Sequence, residues 1–200
     1  MTASLIAGFT RLLTGVRARW RGCAPVPEQR VYFANHTSNL DFVLLWSVLP
    51  GELRRKTRPV GARDYWQTGG IRELLAHRVF RAVLIERRDV TRENNPLVPM
   101  LDALSAGESL ILFPEGTRNA DCEVNPFKTG LFHLAKARRE VAFVPVFIEN
   151  LNRVLPKGEV LPVPMLCTVS FGEPLRLAEG ETKPQFLTRA REAMVALRPQ

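Results

Sequence analysis

From residue 30 onward, short apolar runs alternate with longer segments that have the periodicity of helices. Runs of about four to eight β-branched and aromatic residues predict buried strands, and apolar residues recurring every three to four positions predict helices. The predicted strands are residues 30–34, 57–62, 80–86, 109–113, 141–148 and 165–172. The predicted helices are residues 41–50, 66–78, 95–107, 125–139 and 183–197, the fourth with Asn125 as N-cap and Pro126 in its first turn. This alternation predicts a single α/β domain, with a mostly parallel central sheet flanked by helices.

An amphipathic segment precedes this domain. At about 100° per residue, the large apolar residues of positions 2–21 share one arc, and the arginines lie beside or outside it. The apolar residues are Leu5, Ile6, Phe9, Leu12, Leu13, Val16 and Trp20, and the arginines are Arg11, Arg17, Arg19 and Arg21. Such a helix is typical of a membrane interface, although a helix packed on the domain core has the same pattern. We therefore expect an interface helix over residues 1–22, a linker over residues 23–29 and the domain over residues 30–200.

The charge and the cysteines limit the possible partners and compartments. The 200 residues carry a formal net charge of +8, which suits a polyanionic partner but is also found on ordinary solvated surfaces. The three cysteines, Cys23, Cys122 and Cys167, form no CxxC pair, which argues against a disulfide framework or a zinc site and favours a reducing compartment. No uncharged apolar run approaches the roughly 18 residues of a spanning helix, and we expect no signal peptide.

The segment NHTSNLD, residues 35–41, places a histidine at the end of a predicted strand. On one continuous helix His36 and Asp41 would point about 140° apart, so they can meet only if His36 lies in the loop and Asp41 in the first helical turn. A loop histidine oriented by a carboxylate is the arrangement of a general base. The same letters match a capping box, in which Ser38 caps the helix and Asp41 satisfies a backbone N–H. The sequence leaves both roles open, and both can coexist.

Two further strand ends carry residues suited to an anion. The run LILF is followed by Pro114, Glu115, Gly116, Thr117 and Arg118, and the run AVLIE is followed by Arg87 and Arg88. Ligands of open α/β sheets bind at the carboxyl ends of strands, and guanidinium groups match phosphate. An ordinary turn with exposed arginines would look the same. The other two histidines, His77 and His133, fall among apolar residues of predicted helices, and we expect both to be structural.

Several common signatures are absent from the sequence. It contains no GxxxxGK[ST] or GxGxxG nucleotide-binding motif and no GxSxG nucleophile elbow. It also contains no helix-turn-helix, RNP or zinc-finger pattern. We therefore expect neither a covalent nucleophile nor a nucleic-acid partner.

Taken together, the motifs resemble those of the glycerolipid acyltransferases. NHTSNLD fits that family's NHxSxxD at His36 and Asp41, and residues 113–118 fit its FPEGTR. AVLIER resembles the intermediate block that ends in a basic residue, here Arg87, with Arg81 where the block often has Gly. PFKTGLFHLA, with Lys128 and Gly130, resembles the stretch after FPEGTR, and VPVFI, around Pro145, resembles the last block. The resemblance covers residues 31–150 and is nearest to the 1-acylglycerol-3-phosphate (lysophosphatidate) acyltransferase branch.

The resemblance implies transfer of a fatty acyl group from an acyl thioester to the free hydroxyl of a lysolipid. The acyl donor would be acyl-CoA or acyl-acyl carrier protein, the acceptor 1-acylglycerol-3-phosphate and the product phosphatidate, with no metal and no further cofactor. His36 would be the base, Asp41 its partner, and backbone N–H groups near Gly116 would hold the oxyanion. The expected substrate-binding residues are Arg87, Glu115, Gly116, Thr117, Arg118 and Lys128. Among them, the cations would hold the acceptor phosphate, and Glu115 would orient the loop or contact the glycerol.

Other functions fit the same sequence. The acceptor could be another lysolipid, such as a lyso-ornithine lipid or a lysophospholipid with a larger head group. A basic surface without catalysis would make the protein a lipid-binding or nucleic-acid-binding module. For an acyltransferase with the predicted interface helix, we expect a peripheral location on the cytoplasmic face of the cell membrane, with an anionic membrane surface as a partner.

Overall fold

The computed structural model describes residues 2–67, 69–87, 91, 94–119, 123–149 and 166–199. The strands are β1 (Arg17–Trp20), β2 (Arg30–Ala34), β3 (Thr57–Ala62), β4 (Val83–Ile85), β5 (Ser109–Leu112), β6 (Ala142–Glu149) and β7 (Thr168–Phe171). The helices are α1 (Thr2–Thr14), α2 (Asp41–Val48), α3 (Gly51–Arg55), α4 (Arg63–Trp66), α5 (Ile71–Leu74), α6 (Leu97–Ser105), α7 (Gly130–Ala137) and α8 (Lys183–Val195). Within these ranges the strands form one sheet in the order β1-β7-β6-β2-β5-β3-β4, and β7 is antiparallel to β6 while the other pairs are parallel. The prediction of an α/β domain with a mostly parallel sheet is confirmed.

The central strand β2 determines where the two sequence motifs meet. It lies between β5 and β6, and all of its residues are buried because helices cover both faces of the sheet. In the register, Phe33 of β2 pairs with Leu112 of β5. NHTSNLD begins two residues after Phe33, and FPEGTR begins directly after Leu112. The two motifs therefore leave the sheet side by side at its carboxyl edge.

The sheet separates two apolar layers. On one face α2 buries Leu44 and Leu45, and on the other α6, α7 and α8 bury Met100, Leu134 and Phe186. Burying a side chain of this size contributes about 1.5–3 kcal/mol of hydrophobic free energy. The packed helices hold the strand ends, and hence the motif loops, in place.

The N-terminal segment is not one helix, so the expectation of a helix over residues 2–21 is wrong in its second half. Helix α1 ends at Thr14, and β1 pairs in parallel with β7. Gly15 has a φ of +55°, the left-handed conformation that commonly terminates a helix. Trp20 lies in β1 and stacks on Phe171 of β7, with ring centroids 3.9 Å apart. Strand pairing and this aromatic contact outweigh the local helical pattern.

Helix α1 packs on the domain through small residues. Ala7 is buried in the layer that α2 forms, with Ala3 and Ile6 partly buried beside it. The large apolar residues point away, since Leu5, Phe9 and Leu12 are 70%, 66% and 84% exposed. The predicted apolar arc therefore exists on α1 and is not covered by the described part of the chain. None of the described helices is both long enough and apolar enough to cross a bilayer.

The helix predicted over residues 66–78 is interrupted. Helix α4 ends at Trp66 and α5 begins at Ile71. Gly69 and Gly70, which lie between them, both have positive φ and cannot continue a right-handed helix. Helix α5 then runs into a π-helical turn over Leu75–Val79.

The helix predicted over residues 125–139 begins late, at Gly130. Asn125 is not its N-cap, because the backbone N–H of Asn125 donates to the carboxylate of Glu115. The N–H of Lys128 donates to the carbonyl of Pro114. Residues 125–128, including Pro126, are thus held against the FPEGTR loop and are not a first helical turn. The strand predicted over residues 165–172 is present as β7, while its first position, Met165, lies outside the described residues.

Candidate active site

A groove of about 1410 Å³ opens where the motif loops leave the sheet. One part of its wall is polar and includes His36, Arg87, Gly116, Thr117, Arg118 and Lys128. Another part is apolar and includes Phe42, Val60, Trp66, Ile85, Leu97 and Met100. Ligands of open α/β sheets bind at this edge. A groove with both kinds of wall suits a ligand with a charged head and an apolar chain.

His36 and Asp41 meet as the base hypothesis requires. Asp41 is the first residue of α2 and is fully buried, and its Oδ2 lies 2.8 Å from Nδ1 of His36. The same oxygen accepts the backbone N–H groups of Thr37 and Ser38, at 2.7 and 2.8 Å. Asp41 therefore closes the loop and also orients the histidine. The capping box is only half formed, because Oδ2 accepts the N–H of Ser38 but no side chain caps the start of α2. Ser38 is not the residue that precedes α2, which is Leu40.

This contact determines the tautomer of His36. A carboxylate accepts a hydrogen bond from Nδ1–H, so the proton sits on Nδ1 and Nε2 is the nitrogen that can take a proton from a ligand. The His36 side chain is 20% exposed and lines the groove. Its ring stacks on Phe113, the first residue of FPEGTR, with centroids 4.3 Å apart. The plane and the tautomer of the His36 ring are thus both set by neighbouring side chains.

One buried side chain and one backbone hydrogen bond fix the backbone at His36. Asn35 exchanges two hydrogen bonds with the backbone of Ile148 in β6, at 3.0 and 2.7 Å. The carbonyl of His36 accepts the N–H of Asn119, at 2.7 Å. Asn35 is not among the site residues predicted from the sequence. The sequence feature that could have indicated its role is an amide side chain directly after a fully buried strand.

Glu115 holds the motif loops together from below the groove. It is 3% exposed and does not line the groove. Its Oε1 accepts the N–H of His36 and its Oε2 accepts the N–H of Asn125, both at 2.9 Å. Of the two expectations for Glu115, orientation of the loop is the one that this geometry supports. A contact with the acceptor's glycerol is not supported in this conformation, because Glu115 is buried and lies outside the groove lining.

Gly116 is required by its conformation and by its neighbour. Its φ is +75°, which L side chains rarely adopt. A Cβ at this position would lie 3.2 Å from Cγ of Lys128, so the lysine stem packs directly on the glycine. The N–H of Gly116 donates to the carbonyl of Phe113. It is therefore not a free oxyanion donor, and the next N–H groups along the loop, those of Thr117 and Arg118, are the candidates.

The structure brings the predicted cations together on one wall. Arg87, Arg118 and Lys128 all line the groove. Nη1 of Arg87 donates to the carbonyl of Gly116 at 3.3 Å, and Nη2 lies 3.5 Å from Asp64 at the rim. The intermediate motif and FPEGTR therefore meet through Arg87. Arg88 lies outside the described residues.

The remaining histidines differ from expectation in exposure. His133 of α7 is exposed and lines the same groove, so its expected structural role is not supported. His77 is also exposed, in the π-helical turn, beside a separate shallow cavity of about 430 Å³. Helical periodicity could not reveal which face of these interrupted helices is covered.

The comparison with protein families agrees with this geometry. A family model described as "Acyltransferase" matches residues 18–149, which contain both motifs and the strands that carry them. The chain belongs to the acyltransferase family. The resemblance found in its motifs is thereby confirmed.

Two relatives from the acyltransferase family resemble this chain over most of its length. The 1-acyl-sn-glycerol-3-phosphate acyltransferase alpha of Homo sapiens is 28% identical over 193 residues, which cover 94% of this chain and 65% of that protein. The 1-acyl-sn-glycerol-3-phosphate acyltransferase of Limnanthes alba is also 28% identical, over 86% of this chain and 59% of that protein. This acyltransferase-family chain thus spans less than two thirds of the length of these relatives.

A solved structure shares the fold. The crystal structure of the 1-acyl-sn-glycerophosphate acyltransferase PlsC from Thermotoga maritima matches with a TM-score of 0.73 and 21% identity, covering 98% of this chain and 78% of that one. The match confirms the fold of this acyltransferase-family chain from α1 to α8.

Proposed function

We propose that this protein transfers a fatty acyl group from an acyl thioester to the free hydroxyl of 1-acylglycerol-3-phosphate, giving phosphatidate. The observation that carries the proposal is the His36–Asp41 pair on the wall of a groove that also holds a cluster of cations and an apolar surface. The names of the relatives in the comparison support the same reaction. An oriented base is not needed by a protein that only binds lipid, so the geometry favours an enzyme over a binding module.

The proposed reaction is a direct attack on the thioester. Nε2 of His36 takes the proton of the acceptor hydroxyl as its oxygen bonds to the carbonyl carbon. The tetrahedral intermediate then collapses, the C–S bond breaks, and the imidazolium returns the proton to the thiolate. Asp41 stabilises the imidazolium through its 2.8 Å contact with Nδ1. A general base of this kind raises the reaction rate by about 10²–10⁴-fold. The mechanism uses no metal and no cofactor besides the acyl donor, which is acyl-CoA or acyl-acyl carrier protein.

The loop after Pro114 would stabilise the negative charge on the carbonyl oxygen. The Gly116 N–H is engaged within its own turn. Backbone N–H groups of Thr117 and Arg118 have no acceptor among the described residues and border the groove. Donors of this type stabilise the negative charge that develops in the transition state. In many enzymes this stabilisation is the largest contribution to the rate enhancement.

The acceptor would be held at both of its ends. Arg87, Arg118 and Lys128 would bind its phosphate, because guanidinium groups match phosphate oxygens and the lysine adds a further positive charge. The apolar wall, which includes Trp66 and Met100, would hold an acyl chain. A phosphate ester with one acyl chain satisfies both walls.

The exposed face of α1 would attach the enzyme peripherally to the cytoplasmic face of a membrane. Leu5, Phe9 and Leu12 present a contiguous apolar surface that no described residue covers. Apolar helices of this kind lie in the interface at the level of the lipid head groups. Attachment would bring the enzyme to the membrane that contains its lipid acceptor, and residues 1–22 would then be an attachment segment in which β1 also belongs to the sheet.

The test is an assay of purified protein with a panel of acceptors. Lysophosphatidate, lysophosphatidylethanolamine and a lyso-ornithine lipid are each offered with acyl-CoA and with acyl-acyl carrier protein, and products are identified by mass. We expect phosphatidate from lysophosphatidate, and no product from the same acceptor with His36→Ala. Product only from the lyso-ornithine lipid or the larger lysophospholipid would replace the proposed acceptor, and binding of all lipids without product would refute catalysis.

A further inference from the structure

Three arginines converge at the end of the sheet opposite the groove, and we name them the arginine corner: Arg11 of α1 with Arg54 and Arg55 of α3. Arg11 donates from Nε to the carbonyl of Ser47 at 2.7 Å, and Arg54 donates to the same oxygen at 3.4 Å. Two guanidinium groups therefore share one acceptor at the C-terminal end of α2.

The third guanidinium completes the corner. The point that a Cβ of Gly51 would occupy lies 3.7 Å from Nη1 of Arg55 and 3.9 Å from Nη2 of Arg54. These two side chains therefore lie next to each other over the start of α3. Arg54 also covers the ring of Trp46, 5.2 Å from its centroid, which fixes its plane.

The three arginines of the corner form no ion pair with a described carboxylate. Arg58 and Arg81, in contrast, also converge, but both form ion pairs with Glu108. Burial, and then the charges of Arg11 and Arg55, lower the pKa of Arg54. An anion at this point would relieve the repulsion.

Capping of α2 does not account for the whole corner. The carbonyls at a helix C-terminus attract a cation, and Arg11 alone reaches two of them, those of Ser47 and Leu49. Arg55 contacts neither, yet its guanidinium lies beside that of Arg54. None of the three arginines lines the groove, so the acyl-transfer site does not need them.

We propose that the arginine corner binds the phosphate of an anionic phospholipid in the membrane on which α1 lies. Arg11 belongs to the same helix as Phe9 and Leu12, which are 66% and 84% exposed. A protein attached by that face carries the corner at the membrane surface, where lipid phosphates are the abundant anions. Guanidinium forks match phosphate oxygens. This assignment rests on the proposed attachment by α1 and is independent of acyl transfer.

The test compares binding to vesicles of phosphatidylcholine alone and of phosphatidylcholine mixed with phosphatidylglycerol. The variant is Arg54→Gln/Arg55→Gln, and the matched control is Arg17→Gln/Arg19→Gln, which removes the same charge from exposed positions of β1. We expect the corner variant to lose on the order of tenfold in affinity for the anionic vesicles, from the usual effect of interfacial charges. The control should change much less, and binding of both variants to neutral vesicles should equal that of the wild type.

The outcomes separate the two proposals. Loss of all vesicle binding by Phe9→Ser/Leu12→Ser supports attachment by α1, and its absence refutes that attachment. Equal losses by the corner variant and the control would show that only net charge matters and would overturn the corner. Arg55→Gln alone, at an exposed position, repeats the test if the double variant is misfolded. Inorganic phosphate is added at saturating concentration as a further test. If it raises the stability of the wild-type protein without weakening its binding to vesicles, the corner binds a free anion and the proposed lipid is refuted.

Discussion

Replacing Asp41 by Asn separates the two roles of this carboxylate. Its Oδ2 accepts the N–H groups of Thr37 and Ser38 as well as Nδ1–H of His36. An amide oxygen in the same place keeps all three acceptor contacts, and its NH₂ group would face Oγ1 of Thr37, which lies 3.4 Å from Oδ1 in the wild type. The loss of folding free energy should therefore fall at the low end of the about 0.5–2 kcal/mol that a capping residue contributes.

Turnover should respond far more strongly than stability. The amide has no charge to stabilise the imidazolium, and a hydrogen bond to a charged group contributes about 1.5–3 kcal/mol. At about 1.36 kcal/mol for each factor of ten in rate, this corresponds to roughly 10- to 150-fold. An amide that turns its NH₂ toward Nδ1 would also move the ring proton to Nε2 and remove the base. We therefore expect a fall of at least about 10²-fold in turnover, within the usual range for a general base.

The assay is steady-state formation of phosphatidate, with melting temperature and circular dichroism measured on the same preparations. His36→Ala should be at least as damaging as Asp41→Asn, and the double variant should be little worse than the more damaging single one, because the two residues act as a unit. Near-normal turnover by a folded Asp41→Asn protein would refute the orienting role and leave Asp41 as a helix cap.

Four further predictions follow from the structure. Glu115→Gln turns one of its two backbone contacts into a donor facing a donor, which costs roughly 1–3 kcal/mol. If that cost falls on the position of His36, kcat should drop by about 5- to 150-fold, while KM for lysophosphatidate stays within about twofold of the wild type; a rise in KM alone would return Glu115 to the acceptor site. Arg87→Ala and Arg118→Ala should each raise KM for lysophosphatidate by about 10- to 150-fold, because each loses a contact of about 1.5–3 kcal/mol. Arg139→Ala, which changes an exposed arginine outside the groove, is the control. An unchanged KM in both Arg87→Ala and Arg118→Ala would contradict the phosphate site. Phe9→Ser/Leu12→Ser should shift the protein from vesicles to the supernatant without lowering its melting temperature, whereas a deletion of residues 1–21 would also remove β1 and is not a clean test. The paired Arg189 lowers the pKa of Glu181, so this pair stabilises the fold above pH 4.5 and the contribution is lost progressively as the pH falls below that value. Arg189→Gln should therefore cost about 1 kcal/mol at pH 7 by urea unfolding and less at pH 3, where the bond of Arg189 to the carbonyl of Arg176 is still lost; an equal cost at both would exclude the ion pair as the cause.

The sequence was sufficient for the parts of the structure that depend on local pattern. Buried apolar runs identify the strands, and a parallel sheet places all their carboxyl ends at one edge. That rule brings His36 and Arg118 to the same groove. The bond from the Ser38 N–H to Asp41, one half of the capping box, was also visible in the sequence, and the structure shows it together with the contact to His36.

Contacts between distant segments could not be read from the sequence. The bonds between Asn35 and Ile148 join residues 113 positions apart, and the bond from His36 to Glu115 joins residues 79 apart. The late start of α7 has the same origin, because Glu115 and Pro114 hold residues 125–128 out of a helix. The change from helix to strand after Gly15 likewise depends on β7, whose Phe171 receives Trp20. Local periodicity carries no information about such partners.

The most direct test of the central claim compares two histidines of the same groove. His36 is held by Asp41 and His133 is exposed on α7, and both line the groove wall. Phosphatidate formation from lysophosphatidate and an acyl thioester is measured for the wild type, His36→Gln and His133→Gln. If His36 is the base, His36→Gln should lose at least about 10²-fold in kcat, and His133→Gln should keep most of the wild-type rate. Equal rates for the two folded variants, or no phosphatidate from the wild type, would contradict acyl transfer by the His36–Asp41 pair.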